Sequence, residues 1–122
     1  MNNNDDYSVV MYKILAYFYQ CLREGKRPKI EDVANECEMF TIPYSYWANI
    51  FDDMVSEEYL KNVFIVDGGL NGIGVKFDVN AAITRKGVDF LAENSRMTKA
   101  KQFLGKSFEI VLGSIVGRLG NI

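Results

Sequence analysis

The chain has 122 residues, of which 48% are hydrophobic, and this content can supply the core of one domain. It contains no histidine, which excludes imidazole bases, Ser-His and Cys-His nucleophile pairs, and histidine metal ligands. Its two cysteines, Cys21 and Cys37, are too few for a tetrahedral zinc site, and we expect both to be reduced and buried. We therefore expect no enzyme activity, no catalytic residue, no metal and no cofactor.

Charge is unevenly distributed along the chain, although the formal net charge is only −2. Residues 1–60 hold 5 basic and 11 acidic residues, whereas residues 61–122 hold 9 basic and 5 acidic ones. An anionic partner should therefore meet the second half. The N-terminal residues lack the basic and apolar segments of a signal peptide, and no run of about 18 apolar residues occurs. These features predict a cytoplasmic protein without a membrane span.

Three helices are predicted in the first half of the chain. The first covers residues 6–24 and ends at Gly25, which suits a left-handed C-cap. A short second helix is expected over residues 30–37. The third begins near Pro43 and continues to about residue 58. Its apolar residues recur at helical spacing and predict a buried face made of Trp47, Ile50, Phe51, Met54 and Val55.

A hairpin and a fourth helix follow. Residues 60–66 are rich in β-branched and aromatic side chains, which predicts a strand. Asn71-Gly72 predicts a type I′ turn, because that turn needs a positive φ at both central positions. After the return strand, Thr84 is predicted to cap a helix over residues 85–94. Within it, Gly87 indicates a close approach between helix and strand.

The C-terminal segment, residues 97–119, has the apolar pattern of one further helix. A heptad-like seam along it consists of Leu104, Phe108, Val111 and Ile115. Such a helix either folds back over its own core or pairs with a second copy. A three-helix core with a small wing offers little surface to cover it, so we expect a homodimer through these four residues. The Gly113-x-x-x-Gly117 spacing would let two helices approach, within the chain or across an interface.

The order of these elements is that of a winged helix. The predicted fold class is α+β and mostly α, a winged helix-turn-helix with an additional C-terminal helix. Residues 1–95 form the winged-helix domain in this prediction. Residues 96–122 extend the same domain and supply the dimerisation element.

Several segments carry a resemblance to one family when they are taken in order. They are similar to the YjcQ-like family, small winged-helix proteins of bacteria and their prophages. The resemblance covers about residues 7–104 and implies the fold, but no shared activity. Where the family pattern favours Gly before a Tyr-Leu pair, this chain has Glu58. The matching segments are Tyr12-Lys13-Ile14-Leu15, Leu22-Arg23-Glu24-Gly25-Lys26, Tyr46-Trp47-Ala48-Asn49-Ile50, Glu57-Glu58-Tyr59-Leu60-Lys61-Asn62-Val63, Ile83-Thr84-Arg85-Lys86-Gly87-Val88-Asp89-Phe90-Leu91-Ala92-Glu93-Asn94-Ser95 and Met97-Thr98-Lys99-Ala100.

Double-stranded DNA is the partner that this fold most often binds. In a helix-turn-helix the N-terminal residues of the third helix reach base edges in the major groove. The candidates for base contacts are Thr41, Tyr44, Ser45, Ala48 and Asn49, of which Asn49 can pair with adenine. The candidates for phosphate contacts are Lys61, Lys76, Arg85 and Lys86.

The charges oppose that reading, and two hypotheses therefore stand. Residues 43–60 contain four acidic residues and no basic one, and the hairpin tip over residues 67–74 has no Lys or Arg. DNA affinity rests mainly on Lys and Arg side chains that neutralise phosphates. We expect a DNA-binding transcriptional regulator acting as a dimer. The alternative is a protein-binding adaptor of phage or host origin that uses the same scaffold without reading DNA. The basic stretch of residues 85–106 could attract DNA, an acidic protein or an anionic lipid, but a solvated face is the expected reading.

Overall fold

The computed structural model describes residues 5–121, apart from the side chain of residue 71. Within that range the chain forms four α-helices and one two-stranded antiparallel sheet. The helices are α1 (Tyr7–Glu24), α2 (Tyr44–Ser56), α3 (Arg85–Glu93) and α4 (Ser95–Gly117). The strands are β1 (Leu60–Asp67) and β2 (Ile73–Ile83). The predicted fold class, α+β and mostly α, is confirmed.

Helix α1 is the centre of the fold. Every residue from Val9 to Phe18 is buried, because α2, the hairpin, α3 and α4 all pack around this helix. The helix ends at Gly25, whose φ of 66° is left-handed and lets the backbone turn back onto the Cys21 and Leu22 carbonyls. The prediction for this helix and its C-cap is confirmed.

The predicted second helix over residues 30–37 is wrong. Only one 3-10 turn forms there, over Ile30–Val33, and Ala34 is extended with a ψ of 166°. The backbone groups that a helix would have paired internally are bonded elsewhere. The Cys37 N–H donates to the Phe40 carbonyl over 2.9 Å, and the Ile42 N–H donates to the Asn35 carbonyl over 2.9 Å. Residues 35–42 therefore form a compact loop, and the helix-turn-helix lacks a full second helix.

Helix α2 has the predicted buried face. Trp47, Ile50, Phe51 and Met54 are all at most 3% exposed, while Val55 is half-buried. The chain leaves the helix through Glu58, which has a φ of 63°. This left-handed conformation suits glycine and strains other L-residues.

The hairpin places one of its faces on the helices. Val63 pairs with Phe77 and Ile65 with Val75, and this face packs inward, where the Phe77 ring lies 5.2 Å from that of Phe18. The predicted type I′ turn at Asn71-Gly72 is wrong. The loop instead contains a 3-10 turn over Gly69–Asn71, with left-handed φ at Gly69 and positive φ at Gly72. Two glycines at those positions permit a longer loop in place of the two-residue turn.

Helix α3 begins as predicted. The Thr84 hydroxyl oxygen accepts the Gly87 N–H over 3.0 Å and, as a donor, bonds to the Glu58 carbonyl over 2.6 Å. Gly87 is the predicted point of close approach. A Cβ at this position would lie 2.3 Å from the Tyr59 carbonyl oxygen, which is far inside contact distance. Thr84 and Gly87 together fix α3 against the exit of α2.

Helix α4 folds back over the chain's own core. It makes the most extensive helix–helix contact of the molecule, with α1, where the Phe108 and Tyr12 rings lie 6.0 Å apart. The expectation of one continuous helix is wrong, because Gly105 breaks it with φ 64° and ψ −159°. Only glycine visits that region readily. The C-terminal end is tied down by Lys26, whose Nζ donates to the Leu119 carbonyl over 2.8 Å.

Candidate nucleic-acid interface

The five candidates for base contacts do not form one exposed row. Thr41, Ser45 and Asn49 are exposed, whereas Ala48 is 3% exposed and belongs to the core. Tyr44 is half-buried, and its hydroxyl donates to the Ile73 carbonyl over 2.9 Å. Tyr44 therefore holds α2 to the hairpin loop. The exposed face of α2 near its N-terminus consists of short, uncharged side chains.

The rest of the α2 surface is acidic. The Tyr7 hydroxyl donates to the Asp53 carboxylate, and its ring meets the Tyr46 ring edge-on at 5.8 Å. Burial and then the bonded Asp53 raise the pKa of Tyr7 above its ordinary value, so this phenol remains a donor. Tyr46 in turn donates to the Asp5 carbonyl over 2.7 Å. The sequence did not single out this tyrosine pair, which joins the start of α1 to α2 beside carboxylates that would repel phosphate.

The four candidates for phosphate contacts are exposed and lie on the hairpin and at the start of α3. Lys86 lies 3.9 Å from the Glu57 carboxylate and 5.8 Å from the centre of the Tyr59 ring. Arg85 lies 3.9 Å from the Asp89 carboxylate. Exposed pairs of this kind contribute little energy. The four basic side chains are therefore accessible, but Arg85 and Lys86 lie beside carboxylates.

The outer face of the hairpin is apolar, which the sequence reading missed. Phe64 is 47% exposed, Val66 is 41% exposed and Leu70 at the tip is fully exposed. Lys76, the cross-strand partner of Phe64, is the basic residue of this face. A signal was present in the sequence, because residues 63–66 are all apolar where a half-buried strand should alternate.

Buried polar groups near the loop of residues 29–42 serve the fold. Lys13 is only 5% exposed, and its Nζ donates to the Met39 carbonyl over 2.7 Å. Its burial lowers the pKa of this amine. The Tyr17 hydroxyl donates to the Asp32 carboxylate over 2.6 Å and accepts the Lys29 N–H over 2.9 Å. These bonds fasten the loop to α1, because each buried donor finds its acceptor there.

Both cysteines are free thiols, as expected, but they differ in burial. Cys21 is buried and Cys37 is half-buried. Burial raises the pKa of Cys21 to about 12 and also raises the pKa of Cys37. Neither thiol is therefore activated as a nucleophile.

The four seam residues of α4 do not share one exposed face. Phe108 and Ile115 are 7% and 2% exposed within the chain's own core, and Leu104 is half-buried. Val111 is 38% exposed. The reason given for pairing, that one domain cannot cover this helix, is therefore wrong, because α1 and α3 cover half of the seam. The exposed apolar residues of α4 are Phe103, Ile110 and Val111.

Over residues 5–121 no cluster of three or more His, Cys, Asp or Glu side chains is arranged to hold a metal ion. Over the same range no helix has both the length and the apolarity needed to cross a membrane.

The structure thus defines a mostly α protein with a two-stranded hairpin, an acidic α2 and a C-terminal helix folded onto α1. The model of the family described as YjcQ protein matches residues 12–106, and the chain belongs to this family. Comparison with curated proteins and with solved structures finds no match.

Proposed function

We propose that this protein is a protein-binding module, an adaptor that uses the winged-helix order of elements without reading DNA through α2. The observation that carries the proposal is the outer face of the hairpin. Phe64, Val66 and Leu70 are exposed on the hairpin, and Lys76, the cross-strand partner of Phe64, is the basic residue of this face. Exposed aromatic and aliphatic side chains on a hairpin are typical of a protein–protein contact.

The surface of α2 supports the same proposal. Asp52, Asp53, Glu57 and Glu58 stand on or directly after this helix, and residues 43–60 hold no base. Placing such a helix in a major groove would bring carboxylates towards phosphates without releasing counterions. The matching partner presents an apolar depression for the wing, with aromatic Phe64 as the anchor.

The test compares captured proteins between matched variants. Affinity capture from cells that produce the protein, with quantitative mass spectrometry, would use wild type, Phe64→Ser/Leu70→Ser and Leu22→Ser. Leu22 is 53% exposed on α1, so its variant controls for a general loss of surface apolarity. We expect a partner that wild type and Leu22→Ser retain equally and the double variant loses. A set of captured proteins that is the same for all three would contradict the proposal.

A DNA-binding regulator is the second candidate, and one observation favours it. Lys61, Lys76, Arg85 and Lys86 are all exposed on the hairpin and the start of α3. If these residues contact phosphates, Arg85→Ala/Lys86→Ala weakens binding to every duplex and lowers the salt slope by up to about 2. The dimer that this candidate requires stays a prediction, with Phe103, Ile110 and Val111 as the apolar residues that α4 still exposes.

A further inference from the structure

A groove of about 500 Å³ lies between α1, α3 and α4, away from the wing and from α2. Its volume falls within the range of about 300–1,000 Å³ that is usual for small-molecule sites. Apolar side chains from all three helices line it, among them Tyr12, Leu91 and Leu112. The groove follows α1 from Tyr12 to Arg23, a rise of about 16 Å along a helix.

The groove exists because small residues stand where larger ones would fill it. Ala16, Ala92 and Gly113 come from α1, α3 and α4 respectively. Apart from its chain neighbours and the adjacent backbone of its own helix, no described residue has an atom within 4 Å of the position that a Gly113 Cβ would take. The Gly113-x-x-x-Gly117 spacing therefore serves no close packing inside the chain. At Gly113 it leaves space beside an apolar wall.

Two of the three charged residues that line the groove are basic. Arg23 and Lys101 line it, and the Arg23 guanidinium lies 5.6 Å from the centre of the Tyr19 ring, which holds it at the rim. Within residues 5–121 neither base forms an ion pair. The acidic residue in the lining is Glu109. Together with burial, which is the larger cause, Glu109 raises the pKa of Tyr12 above its ordinary value. The lining therefore carries two positive charges against one negative charge.

We propose that this groove binds a small amphipathic organic anion, with an aromatic or aliphatic body on the apolar wall and a carboxylate or sulfonate held by Arg23 and Lys101. Charge complementarity selects the sign of the ligand, and the two bases give it hydrogen-bond donors. Glu109 opposes the anion and so disfavours placing its charged end beside Tyr12. The site is independent of the wing and of the proposed protein-binding function.

The test is an NMR titration of the whole chain with 2-naphthoate and with 2-naphthylmethanol, a neutral probe of nearly the same shape. We expect saturable amide shifts at Ala16, Ala92 and Gly113 with the anion. Lys101→Gln and Arg23→Gln should each weaken binding of the anion by about threefold to tenfold, while Glu109→Gln should strengthen it. None of these three changes should alter binding of the alcohol. Gly113→Leu should block both probes, and Gly113→Ala, which adds one methyl group in open space, is its folding control.

Three results would overturn the site. The first is no saturable shift with 2-naphthoate up to about 5 mM. The second is equal affinity for acid and alcohol, unaffected by the charge variants. The third is a set of shifts confined to the wing or to α2. The charge variants lie at exposed positions, so the test does not depend on the folding of Gly113→Leu.

Discussion

The indole Nε1 of Trp47 donates a hydrogen bond to the backbone carbonyl of Val33 over 2.6 Å. Both residues are buried, at 3% and 0% exposure. The bond joins the first buried turn of α2 to the end of the single 3-10 turn that replaces a second helix. It therefore fixes α2 relative to α1 where a full helix-turn-helix would use helix packing.

Two variants separate what Trp47 contributes by packing from what it contributes through this hydrogen bond. Trp47→Ala removes both packing and the donor and should lower the free energy of unfolding by about 3–5 kcal/mol. Trp47→Phe keeps most of the ring but leaves the Val33 carbonyl buried without its donor, which should cost about 1–3 kcal/mol. Urea denaturation followed by far-UV circular dichroism measures both. If Trp47→Phe were as stable as wild type, the bond would contribute nothing to the fold.

Glu58 occupies a backbone conformation that suits glycine, with a φ of 63°. Glu58→Gly should raise the free energy of unfolding by about 1 kcal/mol, because the relief of left-handed strain exceeds the entropy that glycine adds to the unfolded chain. The matched control is Ser56→Gly, at the last helical position of α2, which should lower it by about 0.5–1 kcal/mol. Equal destabilisation by both changes in a thermal melt would mean that Glu58 is not strained.

Two glycines in helices should respond in opposite directions to the same change. Gly87→Ala places a methyl group 2.3 Å from the Tyr59 carbonyl oxygen and should destabilise the chain by about 1–3 kcal/mol. Gly113→Ala meets open space and should stabilise it by about 1 kcal/mol through helix propensity. Chemical denaturation of the two variants in parallel makes the comparison. Stabilisation by Gly87→Ala would contradict the packing of α3 on the exit of α2.

Variants at two positions of α4 distinguish packing of this helix on the chain's own core from pairing with a second copy. Phe108 is 7% exposed, so Phe108→Asp buries an unpaired charge and should unfold the chain or destabilise it by about 3–5 kcal/mol. Ile110 is 73% exposed, and Ile110→Asp should leave the fold intact. Circular dichroism with multi-angle light scattering reports fold and mass together. A folded, monomeric Phe108→Asp beside a dimeric wild type would show that α4 pairs between copies instead.

The sequence predicted the elements whose signals are local. The α1 C-cap at Gly25, the α2 buried face around Trp47 and the Thr84 cap each depend on residues within a few positions of one another. The second helix failed partly because the Val33 carbonyl is bonded to Trp47, a residue 14 positions away along the chain. A single glycine is tolerated inside a helix, so the sequence around Gly105 did not reveal that the helix breaks there. The burial of Phe108 against α1 depends on the tertiary fold, so it could not be derived from the apolar seam alone.

The candidate DNA-binding residues show the same limit. The exposure of the four basic candidates and the acidity of α2 could be anticipated from composition and helical spacing. The use of Tyr44 as a tie to Ile73 could not, because it depends on where the hairpin loop lies. The apolar outer face of the wing could have been found, since Phe64 and Val66 fall on the strand face opposite to Val63 and Ile65.

Fluorescence anisotropy of a labelled random duplex at about 50 mM salt, where non-specific binding is strong, measures whether the protein reads DNA. We expect no saturable binding at tens of micromolar protein, for wild type and for Arg85→Ala/Lys86→Ala alike. Saturable micromolar binding that weakens with salt, loses part of its salt slope in Arg85→Ala/Lys86→Ala and changes its base preference in Asn49→Ala would contradict this expectation and establish the DNA-binding regulator.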